Sequence, residues 1–131
     1  MADLSITAAS VVARGGSKAK NGAAGAAVTA GQLVYLEKSS GTYKLADSKT
    51  RSPDGIALNA AAVGQPLRVL VEGPITIGAT LTAGVAYYAS ATPGGICPVA
   101  DLSSGTYPTI VGIAKSSSVL DVKFHESGVA L

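Results

Sequence analysis

The residue types that most often carry out chemistry are few in this chain. Among 131 residues there is one histidine, His125, one cysteine, Cys97, and eight acidic residues. A metal site needs several such ligands close together, and no CxxC or HxH pattern occurs. Catalysis by a serine, a histidine and an acid would have to use His125, and the sequence has no GxSxG elbow. The sequence therefore predicts no catalytic residue, no metal ligand and no bound cofactor.

Each of these residues still allows two interpretations. His125 is either a surface histidine on a solvated strand face or a site residue. Cys97, within GGICPV, is either a small buried apolar residue or a reactive thiol, which would need a nearby cation or helix N-terminus. The acids are scattered singly, which is typical of solvated turns. An enzyme would need them clustered in space.

One segment concentrates positive charge. RGGSKAKNGAAG at positions 14–25 holds Arg14, Lys18 and Lys20 together with four glycines and no long apolar residue, so we predict a loop. No GxxxxGK[ST] pattern or strand–loop–helix context makes it a phosphate cradle. The segment is either a mobile exposed loop or a basic anchor for an acidic partner.

Composition limits the classes of partner. The net charge is +2, 14% of residues are charged and 5% are aromatic, far from the basic excess of a nucleic-acid binder. No apolar run reaches the roughly 18 residues that span a bilayer, and MADLSITAAS lacks the features of a signal peptide. We therefore expect no specific nucleic acid, no membrane and synthesis in a cytoplasm. An apolar core with so few aromatic side chains has little surplus stability, which favours self-association.

Short strand-like segments between turns rich in Gly, Ser, Asn, Asp and Pro make up nearly the whole chain. The segment SITAASVV at 5–12 is the first predicted strand. LNAAAVG at 58–64 allows one helical turn closed by Gly64. About ten short strands are typical of a small β-sandwich or barrel.

Two predicted strands, at 66–73 and 118–125, alternate their side chains between two faces, and the second has the pattern of a strand with one solvated face. The apolar faces consist of Leu67, Val69 and Val71 in the first and of Leu120, Val122 and Phe124 in the second. Arg68, Leu70 and Glu72 form the other face of the first strand, and His125 lies on the solvated face of the second.

The sequence also repeats itself. TAGQLVYLEKSSGTYKLADS at 29–48 is similar to TAGVAYYASATPGGICPVAD at 82–101, and DGIAL at 54–58 to VGIAK at 111–115. Two β units of about 55 residues, each too small to bury its own apolar face, can stack and share a core. Chance similarity between strands rich in Ala and Gly is the alternative. The repeat predicts a pseudo-duplicated all-β sandwich or barrel at 28–131, preceded by an N-terminal strand and basic arm at 1–27.

Several segments, in order along the chain, resemble one known group of proteins. They are DLSITAASVV, the Gly/Lys loop, GAAVTAGQLVYLE with GTYKLADS, GIALNAAAVGQPLRVLVEGPITIGATLTAG, YYASATPGGICPVADL with SGTY, VGIA and the closing SGVAL. Together they run from position 3 to position 131. They resemble the small capsid decoration, or cement, proteins of tailed bacteriophages and prophages. The shared motifs are turns and strands, without a catalytic signature.

The resemblance implies a structural role in a virion. Such a protein is made in the bacterial cytoplasm and binds the major capsid protein on the exterior of the expanded capsid. It acts as an oligomer, with a homotrimer favoured over a dimer, and holds capsomer junctions together against the pressure of the DNA. Arg14, Lys18 and Lys20 are then the candidate capsid contacts. The alternatives are another virion component, such as a head-fibre base, tail decoration or host-binding adhesin, and a small hydrolase.

Overall fold

Strands dominate a computed structural model of the chain, which describes residues 4, 6–7, 10–46, 53–90, 94–98 and 109–126. Over these residues there are ten strands and no helix. The strands are β1 (Val12–Ala13), β2 (Lys18–Ala23), β3 (Leu33–Glu37), β4 (Thr42–Leu45), β5 (Gly55–Ala57), β6 (Pro66–Thr76), β7 (Ala86–Ala89), β8 (Ile96–Pro98), β9 (Thr109–Ala114) and β10 (Val119–Glu126). The predicted all-β fold is confirmed.

The strands form one curled antiparallel sheet, a half-barrel, in the order β4-β3-β5-β6-β10-β9-β7-β8. The long strand β6 is at its centre. One edge of β6 is shared by β5 and β10, and the other is followed by β1 and β2. Beyond β2, Ala24 makes a parallel bridge to Tyr43 in β4, where the Gly25 amide donates to the Tyr43 carbonyl at 2.7 Å. This bridge brings β2 and β4 together.

The predicted duplication is present in the strand order. In the first unit, β3 lies between β4 and β5, and β5 pairs with β6. In the second unit, β7 lies between β8 and β9, and β9 pairs with β10. The two units meet where β6 pairs with β10.

The repeated sequence motifs make equivalent hydrogen bonds in the two units. In each of the turns at 29–32 and 82–85, the amide of the fourth residue donates a hydrogen bond to the carbonyl of the first, at 3.3 and 3.1 Å. Their third residues, Gly31 and Gly84, have φ of +94° and +84°, as a type II turn requires. Each glycine amide then donates to the alanine carbonyl of its own Gly-Ile-Ala segment, at 2.8 Å in both units. Chance similarity does not produce this agreement in hydrogen bonding.

Two buried clusters stabilise the sheet. The main cluster includes Leu33, Ile56, Leu70, Ile75, Ile77, Tyr87, Ile96, Val111, Leu120 and Val122. The small cluster consists of Ala24, Val28, Val34, Tyr43, Ala57, Ala61, Leu67 and Val69. Strand β6 contributes to both, because its two faces point into different clusters. Leu67 and Val69 lie in the small cluster and Leu70 in the main cluster, so the predicted placement of Leu70 on the opposite face of this strand is confirmed.

The alternation predicted for the last strand is confirmed where side chains are described. Leu120 and Val122 are buried and Lys123 is exposed. Phe124 is partly buried and packs against the main cluster. The predicted surface position of the His125 side chain lies outside the described part of the structure.

Three local predictions need correction. Of the described residues in the predicted strand at 5–12, only Val12 is in a strand, because β1 begins there. The segment 58–64 forms no helical turn: the Gln65 amide donates to the Ala62 carbonyl at 2.9 Å, and Gly64 has φ of +85°. The predicted loop at 14–25 contains β2, paired with β6 over six residues.

Strand β2 forms without a long apolar side chain because its neighbours supply the contacts. The edge of β6 provides the ladder of hydrogen bonds. A Cβ added at Gly22 would lie 2.6 Å from Cε2 of Tyr43, so the glycine leaves room for this ring. Burial raises the pKa of Tyr43, and the Asp54 carboxylate adds to the increase. The phenol therefore stays neutral in the small cluster at neutral pH.

Candidate functional site

The three predicted contact residues lie along one edge of the sheet. Arg14, Lys18 and Lys20 are all exposed, and we call them the basic edge. Lys18 is opposite Glu72 and Lys20 opposite Val69 in the register of β2 on β6. The Arg14 amide donates to the carbonyl of Pro74, further along β6. From Pro74 to Val69 this strand extends about 17 Å at about 3.3 Å per residue, and the three cations are spread over that length. The fold thus arranges the cations in a row.

Arg14 begins the turn that separates β1 from β2, and the Ser17 amide donates to the Arg14 carbonyl at 3.2 Å. The Arg14 amide donates to the Pro74 carbonyl at 3.0 Å, and its Nη1 donates to Oγ1 of Thr76 at 3.3 Å. The turn also requires Gly73, which has φ of +111° and where a Cβ would lie 2.5 Å from Cα of Ser17. The position of Arg14 is therefore set by backbone geometry on β6.

The charges of the basic edge are only partly compensated. Nζ of Lys18 lies 3.8 Å from Oε2 of Glu72, and the two side chains are 77% and 48% exposed. So exposed a pair stabilises the fold little. Lys20 has no ion pair with any residue that the structure describes. Most of the positive charge is thus available to an outside partner.

The structure adds one cation that the sequence did not suggest. Arg68 is exposed on β6, and its Nη1 donates to Oδ1 of Asn21 in β2 at 3.0 Å. The place of Arg68 beside the basic edge depends on the pairing of β2 with β6, which bridges 47 positions of sequence.

The basic edge also coincides with an edge of the hydrogen-bonded sheet. Among the described residues, β1 and β2 pair in the sheet with β6 alone. Their outer backbone groups therefore face away from the ladder until Ala24 bridges to Tyr43. An exposed strand edge can accept a further strand, and charged side chains limit which strands can dock there.

The chemistry near other polar groups is limited. In the part of the chain that the structure describes, no three His, Cys, Asp or Glu residues are grouped so that they could hold a metal ion. Cys97 is 1% exposed, as expected for a small buried residue. An open groove of about 460 Å³ is lined by hydroxyl groups of Thr7, Ser10, Thr76, Thr80, Ser117 and Ser118. The lining residues that the structure describes include no histidine or carboxylate that could activate them.

No helix formed by the described residues is long and apolar enough to cross a membrane.

Comparison with protein-family models, with curated proteins and with solved structures gives no match to this chain. The surface geometry and the resemblance of the sequence segments to cement proteins are therefore what support a function for this chain.

Proposed function

We propose that this chain is a capsid decoration protein of a tailed bacteriophage. It binds the major capsid protein on the outer surface of the expanded shell and stabilises the junctions between capsomers. The observation that carries the proposal is the basic edge, three exposed cations along one edge of the sheet whose outer backbone groups are open. The resemblance of the sequence to cement proteins supports the same role.

The proposed mechanism is a linkage between binding and shell expansion. A protein that binds the expanded shell and not the precursor shell stabilises the expanded form. Bridging contacts then oppose the separation of capsomers under the pressure of the DNA. Self-association strengthens this effect, because an oligomer that grips several capsomers gains a factor of about 10²–10⁴ through effective concentration. We favour a homotrimer over a dimer, to match three-fold positions of a closed shell.

Removing the basic edge is expected to weaken binding to the shell. We predict that replacing Arg14, Lys18 and Lys20 by Ser lowers the affinity for expanded shells at least about tenfold at low salt and less at high salt, because salt screens exposed charges. The measurement is co-sedimentation with expanded and precursor shells of the same phage across a salt series.

A matched control removes charge elsewhere on the surface. Lys38 and Lys115 are exposed in the turns after β3 and β9, and their double replacement by Ser should leave binding unchanged. The corresponding variant of the basic edge replaces Lys18 and Lys20, so that both proteins lose the same charge. Equal binding of the two variants and the unaltered protein at every salt concentration would exclude the basic edge as the anchor.

The copy number per virion tests the function itself. Quantitative densitometry against the major capsid protein should give hundreds of copies, near one per capsid subunit, because cement covers the whole shell. A few dozen copies or fewer would confine the chain to vertices, fibres or the tail. The cement function would then be replaced by that of another virion component.

A further inference from the structure

The two units allow a residue-by-residue comparison of their faces. In the first unit, Leu33 is opposite Ile56 and Ile56 is opposite Leu70. In the second unit, the equivalent row is Ala86, Ile113 and Asp121, with the same pairing. Residues directly opposite one another in antiparallel strands share a face. Each unit thus carries one corresponding row across three strands.

The two rows differ completely in burial. Leu33, Ile56 and Leu70 are fully buried in the main cluster. Ile113 is 52% exposed, and its two row neighbours are half-buried. The same Gly-Ile-Ala segment therefore presents its isoleucine to the core in one unit and to solvent in the other.

The cause is the way the units stack. The row of the first unit packs in the main cluster with Ala114, Leu120 and Val122, which alternate with the second row along β9 and β10 and face the other way. We call the face of each unit that carries its row the front and the opposite face the back. The front of the first unit thus lies on the back of the second. Among the residues that the structure describes, this stacking leaves the front of the second unit with no counterpart from the first.

The exposed row belongs to a wider surface, which we call the outer face. It comprises Val12, Thr76, Ala86, Ile113, Val119 and Asp121, which are connected by direct pairing between neighbouring strands and, from Val119 to Asp121, by the alternation of side chains along β10. Five neighbouring strands span about 19 Å. Among the described residues, three large apolar side chains are the most exposed, and two of these, Val12 and Ile113, lie here at 55% and 52%.

We propose that the outer face is where copies of this chain contact one another. Within one chain, the equivalent row of the first unit is buried against a sheet face of the second unit. A sheet face of another copy is a surface of the same kind, and it fits the exposed row. Asp121 is on this face, and Lys123 lines the same shallow depression beside Ile110 and Ile113. Because the face carries both signs of charge, each can meet its opposite on a neighbouring copy. A strongly acidic or basic partner would meet a like charge.

The size of the outer face sets the expected strength of the contact. A stable interface buries about 800 Å² per partner, whereas the outer face is about 19 Å wide across its five strands and two of its six residues are large apolar side chains that are more than half exposed. We therefore expect association in the micromolar range, which is strengthened when several copies are held on one shell. This inference names the self-association surface within the proposed function, and its test in solution requires no shell.

The test is sedimentation analysis of the purified protein from about 5 to 500 µM. We expect the unaltered chain to associate as concentration rises, and the limiting mass gives the number of copies. Ile113→Lys should remain a monomer throughout. Val63→Lys is the matched control, because Val63 is 71% exposed in a turn away from the outer face, and it should associate like the unaltered chain. Circular dichroism and denaturation midpoints verify that both variants are folded.

A charge exchange tests the pairing on this face. Asp121→Lys should weaken association about tenfold, and adding Lys123→Asp to that variant should restore it. A chain that stays monomeric at every concentration overturns the inference, as does an Ile113→Lys variant that associates normally. Loss of shell binding by Ile113→Lys in a monomeric chain would instead assign the face to the capsid, which leaves the proposed function intact.

Discussion

Replacing Gly112 by Ala is expected to lower the free energy of unfolding by about 3 kcal/mol, at the upper end of the cost of overpacking. The added Cβ would lie 2.2 Å from the carbonyl oxygen of Asp121 and 3.0 Å from Cα of Val122. Both atoms belong to the backbone of β10, so they cannot move aside without opening the β9–β10 ladder. Urea denaturation, with the midpoint and slope compared at one protein concentration, measures the loss.

Two other glycines define the controls for this prediction. Gly55 is equivalent to Gly112 in the first unit, and a Cβ there would lie 2.7 Å from the carbonyl oxygen of Leu70. Gly55→Ala should therefore destabilise the protein by a similar amount. Gly15 has no heavy atom within 4 Å of its added Cβ, and Gly15→Ala should change stability by less than about 0.5 kcal/mol. A loss below about 1 kcal/mol for Gly112→Ala would mean that the two strands separate at little cost.

Truncating Leu120 to Ala is expected to cost about 3–4 kcal/mol. The side chain is fully buried in the main cluster, and its strand neighbours are Ile75 on β6 and Ala114 on β9. The loss combines the transfer of apolar surface with a cavity between the two units, because the surrounding strands are held by their ladders and relax only partly. Denaturation measured by circular dichroism gives the change.

A conservative substitution at Leu120 and a substitution at an exposed residue are the controls for this prediction. Leu120→Met keeps the volume and should cost less than about 1.5 kcal/mol. Val63→Ala removes an apolar side chain that is 71% exposed, and it should leave the midpoint unchanged. A Leu120→Ala loss no greater than that of Val63→Ala would contradict the burial of β10 against the first unit.

Much of the fold could be predicted from local patterns. Type II turns need a residue with positive φ at the third position, so the two Thr-Ala-Gly segments indicated where strands begin. The alternation of β10 indicated its buried face correctly at Leu120 and Val122. The candidate contact residues were also evident, because Arg14, Lys18 and Lys20 are concentrated in one segment. These features depend on neighbours within a few residues.

Other features depended on partners far along the chain. The segment KAKNGA has no apolar pattern that indicates a strand, and β2 forms because β6 offers an open edge. Leu70 alternates with Leu67 and Val69 and shares its face with Arg68 and Glu72, and it is buried because β6 lies between two clusters. The same pairing brings Arg68 beside the basic edge. Local sequence carries no signal for any of these three outcomes.

The sequence by itself determined that the chain is all β, that it is duplicated and where its positive charge is concentrated, because turn chemistry and strand alternation are local properties. Only the tertiary structure decided which copy of a repeated motif is buried. Ile56 and Ile113 occupy the same place in the same Gly-Ile-Ala segment, yet one is fully buried and the other is 52% exposed. The physical reason is that the front of one unit packs on the back of the other, so identical local sequences have different surroundings.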